Sequence, residues 1–327
     1  MEEALKLLLD IKDVKVLCVG DIMLDSYIYG QATRISPEAP VPVVHVKKRL
    51  QMPGGVGNVV KNLGALLAHP YSISVTGNDY NAGVLERLFQ EAGLPKPGLV
   101  RDEARPTSVK TRIIAGIQQV VRFDEENNVP LSGELANKIV SDVKALLPEV
   151  GAVALSDYGK GTLSDEVLRA VLDMARAAGK PVVVDPKGSD YNRYRGATLV
   201  TPNRAELSEA VGFRVETFPE IEKAGKALMA RCGLDNILVT LSEDGMMLLS
   251  SADAGKEPVL QASLAREVFD VSGAGDTVVA VMAASMAVGA SLALGSRLAN
   301  MAAGVVVGKV GTATAAPEEI VEWSRWS

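Results

Sequence analysis

The stretch FDVSGAGDT, residues 269–277, leads directly into the apolar run VVAVMAA at 278–284, which we interpret as a helix. Gly273 and Gly275, spaced one apart where this helix begins, allow a tight turn that directs backbone N–H groups into one small volume. The partial positive charge of a helix N-terminus favours an anion in that volume. Because a carboxylate beside a bound phosphate would repel it, we interpret Asp276 as the acceptor of a proton from the group that attacks the phosphate.

Two other interpretations of this stretch have to be weighed. An Asp in the first turn of a helix is commonly a cap, and this alternative stays open. A glycine pair before a helix also occurs in dinucleotide-binding folds, which need a third glycine and an acidic residue roughly 20 positions later. Val278 stands where that glycine is needed, and no Asp or Glu occurs between Asp276 and Glu318. The sequence therefore disfavours a dinucleotide site.

The composition is that of a globular enzyme. The chain has 327 residues, 47% hydrophobic and 23% charged, and we expect residues 1–327 to form a single domain. A net charge of −6 and an aromatic content of 4% give no basic or stacking surface for nucleic acid. We therefore expect small-molecule ligands and no nucleic-acid partner.

The sequence also predicts no membrane segment and no zinc site. The N-terminus opens with two acidic residues, unlike a secretory leader, and the longest apolar run, 278–288, is shorter than the ~18 residues of a membrane span. We expect a cytoplasmic protein. Cys18 and Cys232 lie in apolar patterns, which predict buried thiols. Two Cys and two His cannot supply a structural zinc site with normal ligand spacing.

Five short apolar runs predict the strands of a buried sheet. They span residues 15–21, 152–157, 181–185, 197–203 and 236–240, and helical patterns such as 163–179, with Gly179 as its C-cap, lie between them. This alternation predicts an α/β fold with a mostly parallel sheet and helices on both faces. Ligands of such sheets bind beyond the carboxyl ends of the strands. The residues expected at that edge are Asp21, Asp157, Asp185, Asn203 and Thr240.

Two regions do not follow this alternation of strands and helices. Residues 26–53 are rich in proline around an apolar run, and residues 107–124 alternate between polar and apolar side chains. Both patterns are typical of strands in a small antiparallel sheet outside the main core. We predict a lid over the strand-end site, where it would exclude water from the reaction.

Two further motifs predict binding functions. In GGVGN, residues 54–58, the paired glycines let a small ligand approach the backbone, and Asn58 offers a donor and an acceptor to a hydroxyl-rich molecule. The alternative is a flexible loop with Asn58 as an N-cap. Asn203 and Glu206, three apart at a predicted helix start, present oxygens that suit Mg²⁺, directly or through water. The alternative for this pair is a capping box.

The ordered combination of GGVGN, Asn203 with Glu206, and DVSGAGDT resembles the PfkB/ribokinase family of carbohydrate kinases, from about Lys15 to Pro317. The resemblance implies a ribokinase-like three-layer sandwich with a mostly parallel central sheet and a small β-sheet lid that contributes to a homodimer. It also implies ATP and Mg²⁺ as cofactors, with a monovalent cation as an open question. No Walker-type phosphate loop occurs in the sequence, in keeping with this family.

The resemblance carries over to individual residues. It implies that Asp276 is the catalytic base and that residues 272–276 form the anion hole, with Ser272 where the family more often has Thr. The other residues that it implies fall into four groups: Gly273, Ala274 and Gly275 in the anion hole; Asp25, Gly54, Gly55 and Asn58 on the sugar; Asn203 and Glu206 on Mg²⁺ and phosphate; and Thr240, Ser242, Gly245 and Asn300 around the nucleotide.

Four more stretches narrow the resemblance within the family. RISPEAPVPVV (34–44), LSDYGKG (155–161), VDPKG (184–188) and GVVVGKVGT (304–312) are similar to members that phosphorylate O1 of D-glycero-β-D-manno-heptose 7-phosphate, on the way to ADP-heptose for the lipopolysaccharide core. Such kinases are often fused to a nucleotidyltransferase with a His-x-Gly-His motif. The histidines here are His45 and His69, so we expect no second activity in this chain.

Cationic side chains support a phosphorylated substrate independently of the resemblance. An acidic chain places several of them in the predicted lid and at strand ends, where an anionic sugar needs partners. Three alternatives remain open: another sugar or nucleoside kinase of this family, a dinucleotide-dependent oxidoreductase, and a sugar-phosphate-binding protein without activity. The residues expected to contact the substrate phosphate or its neighbourhood are Arg34, Lys110, Arg112, Asp157, Lys160 and Lys187.

Overall fold

A computed structural model describes residues 2–253, 257–265 and 267–325 of the chain. Its strands are β1 (Lys15–Gly20), β2 (Ile22–Ile35), β3 (Pro42–Gly55), β4 (His69–Gly77), β5 (Gly98–Asp102), β6 (Val109–Ala115), β7 (Gln118–Glu125), β8 (Ala152–Ser156), β9 (Val182–Asp185), β10 (Leu199–Val200), β11 (Asn236–Thr240), β12 (Met246–Ser250) and β13 (Val259–Gln261). Its helices are α1 (Glu2–Asp10), α2 (Val56–Ala65), α3 (Tyr80–Glu91), α4 (Gly133–Leu146), α5 (Asp165–Ala177), α6 (Arg204–Val211), α7 (Phe218–Cys232), α8 (Ala274–Ala287), α9 (Leu292–Val307) and α10 (Pro317–Ser324).

Within the part of the chain that the structure describes, nine strands form the central sheet, in the order β13-β12-β11-β10-β9-β8-β1-β4-β5. The strands from β11 to β5 are parallel, and β12 and β13 add an antiparallel edge. All five strands expected from the apolar runs are confirmed, although β10 is only two residues long. The sequence did not predict β4, whose Ser72 and Ser74 break the apolar pattern; Ser74 is nevertheless buried because its hydroxyl donates to the Gly20 carbonyl over 2.6 Å.

The strands in the middle of the sheet, such as β1 and β8, are buried on both faces. In β1, Val16 and Cys18 belong to the core under α1, α2, α8 and α9, whereas Leu17 and Val19 belong to the core under α4, α5 and α7. Because neither face of such a strand meets water, its sequence is a continuous apolar run rather than an alternating one. The prediction of helices on both faces is confirmed, as is the burial of both cysteines.

Helix α8 is the most deeply enclosed helix among those that position the site. Every residue from Asp276 to Met286 is buried, between the sheet and the helices α2 and α9. An apolar surface all round a helix is expected when the helix is surrounded by protein. In the described residues, no helix is both long and apolar enough to cross a bilayer.

The lid is a separate four-stranded sheet in the order β3-β2-β6-β7. It begins at Ile22 and ends at Gly55 in its first hairpin, so it is longer than the predicted 26–53. The prediction of a wholly antiparallel lid is wrong, since β2 and β6 run parallel. The chain between the two hairpins passes through α2, β4, α3 and β5 and returns to the same end of the lid, which makes the parallel pairing possible.

The central position of β8 leads to a prediction about stability. Leu155 in β8 is 0% exposed, and Leu155→Ala should lower the free energy of unfolding by about 2–5 kcal/mol because it leaves a cavity. Leu9→Ala is the matched control, since Leu9 is 75% exposed. Urea unfolding followed by circular dichroism measures both. Equal effects of the two substitutions would contradict the placement of β8 in the core.

Candidate active site

The polar residues expected at the strand ends do lie along one edge of the sheet. Each of these residues ends or follows one of five strands that are consecutive neighbours in the sheet. The pairs are Asp21 with β1, Asp157 with β8, Asp185 with β9, Asn203 with β10 and Thr240 with β11. Asn203 and Thr240 are themselves paired by an isolated bridge. Because the five strands are neighbours, the five polar residues lie in one continuous row along the edge of the sheet.

Asp276 lies at the N-terminus of α8, and its side chain is 3% exposed. Its Oδ2 accepts a hydrogen bond from Asn58 Nδ2 at 2.8 Å, and its Oδ1 accepts one from the Tyr158 hydroxyl at 3.0 Å. The interpretation of Asp276 as a helix cap is therefore wrong, because its carboxylate contacts other elements and makes no cap hydrogen bond to α8.

The environment of Asp276 shifts its titration toward neutrality. Burial raises the pKa of the Asp276 carboxyl to about 7, against the opposing effect of the hydrogen bonds from Asn58 and Tyr158, and the charge of Asp25 adds to the rise. A carboxylate with a pKa near the working pH can accept a proton and release it again. The geometry and the pKa of Asp276 both suit a general base.

The turn before α8 depends on Gly273. This residue is the N-cap of α8 with φ 81°, and a methyl group on it would collide with the amide nitrogen of Asn58. On the other side, Ser272 donates its backbone N–H to Asp270 Oδ1 at 2.9 Å. Gly275 differs, since a methyl group there would meet nothing within 4 Å. Gly273 is thus required by the protein, whereas the space beside Gly275 is open.

Asn58 is positioned by the first turns of α2. This helix begins at Val56 with Gly55 as its N-cap, so the alternative of Asn58 as a cap is wrong. Asn62 donates to the Asn58 carbonyl at 2.9 Å and accepts a hydrogen bond from Thr277 at 2.9 Å. These bonds join α2 to α8, and they leave the fully buried Asn58 amide directed at Asp276.

Asp25 lies where the lid meets the central sheet. Its Oδ1 is 2.6 Å from a guanidinium nitrogen of Arg112, whose positive charge also stacks over the ring of Tyr27 at 5.1 Å. Gly54 passes so close to the Asp25 carboxylate that a side chain at this position would collide with it. The structure therefore brings together three of the predicted sugar-binding residues, Asp25, Gly54 and Arg112.

The loop after β8 is shaped by two buried carboxylates. Asp21 accepts backbone N–H bonds from Tyr158, Lys160 and Thr162, over 2.9, 2.9 and 3.0 Å. Asp157 accepts from the Gly159 N–H and the Tyr194 hydroxyl, each at 2.9 Å. Asp157 thus contacts its own loop, Tyr194 and Arg193, whose guanidinium lies 3.2 Å away, and these contacts fix the conformation of the loop.

The cationic residues predicted to hold a phosphate divide into two groups. Lys110 and Lys160 are largely buried and converge on Glu126, with Nζ to carboxylate distances of 3.4 and 2.6 Å. Lys187, 51% exposed, lies 3.6 Å from Glu206 instead. Arg34 is exposed on β2, nine residues beyond Asp25 and therefore about 30 Å further along the strand, so a single chain does not bring it to the site.

A cavity of about 750 Å³ opens beside the N-terminus of α8. Its wall includes apolar side chains of Val268, Val271 and Val278, together with the cationic Arg204 and Arg214. Gly245, at φ 90°, forms a turn in which any side chain would collide with Gln261. Neither Ser272 nor Glu206 lines this cavity. The predicted nucleotide-side residues that do line it are Asn203, Thr240, Ser242, Gly245, Gly275 and Asn300, and Ala274 of the anion hole lines it too.

Asn203 and Glu206 form a reciprocal capping box. Asn203 Oδ1 accepts from the Glu206 N–H at 2.9 Å, and Glu206 Oε2 accepts from the Asn203 N–H at 3.0 Å. Nearby, burial raises the pKa of the Asp185 carboxyl well above its usual value, reinforced by the charges of Asp276 and Glu206 and only partly offset by Lys187. Among the described residues no group of three or more His, Cys, Asp or Glu side chains is arranged to hold a metal ion, whereas the oxygens of Asn203 and Glu206 are ligands of the kind that Mg²⁺ takes, directly or through water.

Two residues of the site were not assigned roles by sequence reasoning. Tyr158 contacts the Asp276 carboxylate, and Asp185 adds to the negative surroundings of that carboxylate. The signal for both was their position at or just after a strand end, within SDYGKG and VDPKG. The residues around a loop tyrosine do not indicate whether its hydroxyl lies in a binding site or in the core. Only the structure therefore identifies Tyr158 as a residue of the candidate site.

The fold and the arrangement at α8 are those of an ATP-dependent carbohydrate kinase. The chain belongs to the pfkB family of carbohydrate kinases, whose model matches residues 13–319. A protein named "Bifunctional protein HldE" from Paramagnetospirillum magneticum is 48% identical over 311 residues, which cover 95% of this chain and 63% of that protein. One of the same name from Rhodospirillum rubrum is 49% identical over 300 residues, 92% of this chain and 60% of that protein. The chain thus spans about three fifths of the length of these relatives.

Solved structures share the fold at low sequence identity. Ribokinase of Arabidopsis thaliana, complexed with ribose and ATP, has a TM-score of 0.76 at 22% identity, and the match covers 96% of this chain and 100% of that one. Phosphofructokinase-2 of Escherichia coli, in complex with potassium, also has a TM-score of 0.76, at 19% identity over 96% and 99% of the two chains. The predicted ribokinase-like fold is confirmed.

The contrast between the two glycines before α8 gives a prediction. Gly273→Ala should destabilise the protein by at least about 1–2 kcal/mol, the cost of a left-handed backbone, and should lower kcat because the new methyl group displaces Asn58 from Asp276. Gly275→Ala is the matched control and should not lower the free energy of unfolding. Chemical denaturation and steady-state kinetics measure both effects. A Gly273→Ala enzyme as stable and as active as the wild type would contradict this role.

Proposed function

We propose that the chain transfers the γ-phosphoryl group of ATP to O1 of D-glycero-β-D-manno-heptose 7-phosphate, giving the 1,7-bisphosphate for ADP-heptose and the lipopolysaccharide core. The observation that carries the catalytic part is the buried Asp276 carboxylate at the N-terminus of α8, held by Asn58 and Tyr158 beside an open cavity. The choice of sugar rests on the four stretches similar to heptose 7-phosphate kinases. Another sugar, sugar-phosphate or nucleoside kinase of the family is the alternative.

In the proposed reaction, Asp276 accepts the proton of the sugar hydroxyl as its oxygen attacks the γ-phosphorus in line with the leaving ADP. Charge that spreads over the transferring phosphoryl group is stabilised by the backbone N–H groups at the start of α8, which include those of Gly273, Ala274 and Gly275. These groups are fixed by the helix before the reaction starts, so they need no reorganisation. Asp276 is active when ionised, so kcat/KM should fall as the pH drops below about 7.

The sugar would occupy the space between Asp25 and Asp276. Asp25 can accept hydrogen bonds from sugar hydroxyls, and Gly54 and Gly55 leave room for a ligand beside it. Lys110 and Lys160 both lie within ion-pair distance of the Glu126 carboxylate, and Lys110 also pairs with Asp124 at 2.9 Å; this convergence of two ammonium groups supports an anion site between them. We assign the substrate phosphate to these two lysines, where it would replace Glu126 as their partner.

The cavity beside α8 would hold the nucleotide. Asn203 and Glu206 would hold Mg²⁺, directly or through water, and the cation would offset the negative charge of Asp185 nearby. When bound, Mg²⁺ neutralises phosphate charge and orients the transferring group. The apolar wall of Val268, Val271 and Val278 suits the adenine base, with Asn300 close to it. A monovalent cation remains an additional candidate cofactor, in keeping with the potassium complex of the Escherichia coli relative in fold.

We also propose a homodimer formed through the lid. Apolar side chains on the lid are about half exposed in the single chain: Val46 is 47% exposed, Val121 45% and Phe123 46%. Burial of such side chains against a second lid would remove them from water. The same contact is the route by which Arg34, distant from its own site, would approach a substrate.

The role of Asp276 can be tested by Asp276→Asn, which keeps the shape of the side chain and removes the base. We expect kcat to fall by about 10²–10⁴, with the affinity for ATP retained in isothermal titration calorimetry. Asp10→Asn, on the exposed surface of α1, is the control and should have wild-type kinetics. Turnover of Asp276→Asn at close to the wild-type rate would rule out Asp276 as the base.

The substrate can be tested by following ADP release with MgATP and four acceptors: heptose 7-phosphate, fructose 6-phosphate, ribose and adenosine. We expect turnover with heptose 7-phosphate, and we expect Lys160→Met to raise its KM about tenfold or more, since a charge-assisted hydrogen bond is lost. Lys138→Met, on the surface of α4, is the matched control. Efficient turnover with ribose or adenosine but none with heptose 7-phosphate would contradict the proposed substrate.

A further inference from the structure

The carboxylate of Asp276 is held by two hydrogen bonds from different parts of the chain, one to each oxygen. Asn58 donates to Oδ2 from α2, and the phenol of Tyr158 donates to Oδ1 from the loop after β8. A carboxylate with one donor can still rotate about its Cβ–Cγ bond, whereas donors on both oxygens fix its plane. Each carboxylate oxygen has two lone pairs, so both oxygens keep capacity to accept a substrate hydroxyl.

Tyr158 is itself rigidly placed. Its backbone N–H donates to Asp21 Oδ2 at 2.9 Å, and the bonds from Lys160 and Thr162 to the same buried carboxylate fix the residues that follow. Gly159, at φ 66°, provides the left-handed turn directly after Tyr158. The loop therefore presents the Tyr158 hydroxyl to Asp276 before any substrate binds, which is the condition for a preorganised site.

The hydroxyl of Tyr158 stays a donor across the neutral pH range. Burial and the negative charge of Asp276 raise the pKa of the Tyr158 phenol well above its ordinary value. The other charged groups that face Asp276 are carboxylates: Asp25, which raises the pKa of Asp276, and Asp185, whose own pKa is raised by Asp276. Arg112 offsets Asp25 through their ion pair. Asn58 and Tyr158 are thus the groups that favour the ionised form of Asp276 by hydrogen bonding.

We propose that Tyr158 is a positioning residue for phosphoryl transfer, whose hydroxyl fixes the Asp276 carboxylate in the orientation and charge state that accept the proton of the sugar hydroxyl. This inference rests on the proposed role of Asp276 as the base. Tyr158 accepts no proton and keeps its own proton throughout the reaction. It acts on the reaction only by orienting the Asp276 carboxylate and stabilising its ionised form. It is separate from sugar recognition, which we assign to Asp25 and the lysines.

The test compares Tyr158→Phe with the wild type and with Tyr80→Phe, a control on an exposed tyrosine of α3. With MgATP and heptose 7-phosphate, Tyr158→Phe should lower kcat about tenfold or more through loss of a hydrogen bond to a charged group, with little change in the KM for ATP. The acid limb of its kcat/KM profile should move to higher pH, because the ionised form of Asp276 has lost a donor. Incorporation of 3-fluorotyrosine at position 158, a more acidic phenol and a stronger donor, should move the limb to lower pH.

A second readout does not depend on the substrate. Proteins labelled with ¹³C at their Asp carboxyl groups are titrated by NMR, and the signal that is missing in Asp276→Asn identifies Asp276. Tyr158→Phe should raise the pKa of the Asp276 carboxyl, and Tyr80→Phe should leave that pKa unchanged. An unchanged Asp276 titration and a wild-type pH profile in Tyr158→Phe would overturn the role of Tyr158. An active Asp276→Asn enzyme would instead overturn the proposed base, so the two failures are distinguishable.

Discussion

The burial of a single carboxylate, that of Asp276, is the constraint on which the rest of the site depends. An ionised carboxyl in a protein interior is costly unless hydrogen bonds compensate it. The compensation comes from Asn58, 218 residues away in the sequence, and from Tyr158, 118 residues away. Helix α2, helix α8 and the loop after β8 must therefore be held in a fixed arrangement. The central sheet provides it, because β1 and β8 are neighbours and α2 packs against α8.

The same edge of the sheet explains how an acidic protein could bind the two anionic substrates that we propose. Negative charge is concentrated beside the strand ends, where we propose that a proton is accepted and a divalent cation is bound; the carboxylates are those of Asp25, Asp185, Glu206 and Asp276. The cations lie to either side: Arg112 and Lys110 lie on the lid, Lys160 lies on the loop after β8, and Lys187 lies beside Glu206. Local charge therefore decides what each part of the site binds, and the net charge of −6 does not.

The lid and the loop after β8 are where we expect the choice of sugar to be made. The central fold is shared with ribokinase and phosphofructokinase-2 at identities of 22% and 19%, so the fold alone does not distinguish sugars. In the proposed reaction, the residues that hold Asp276 and those that line the cavity beside α8 serve the transfer itself. Asp25, Lys110 and Lys160 lie on the lid and the loop, and we expect changes to the two lysine side chains to alter the acceptor while the hydrogen bonds to Asp276 stay in place.

The sequence by itself determined the features that depend on neighbouring residues. Continuous apolar runs identified β1, β8, β9 and β11, because most residues of a strand buried on both faces are apolar. The glycines of DVSGAGDT marked the start of α8, because a left-handed turn requires glycine at 273. Only the tertiary structure decided which side chains meet across long separations. It directed Asn58 to Asp276 rather than to a helix cap, added Tyr158, paired β2 with β6 in parallel, and left Arg34 far from its own site. These outcomes depend on how helices and sheets pack against one another, which no local pattern of residues records.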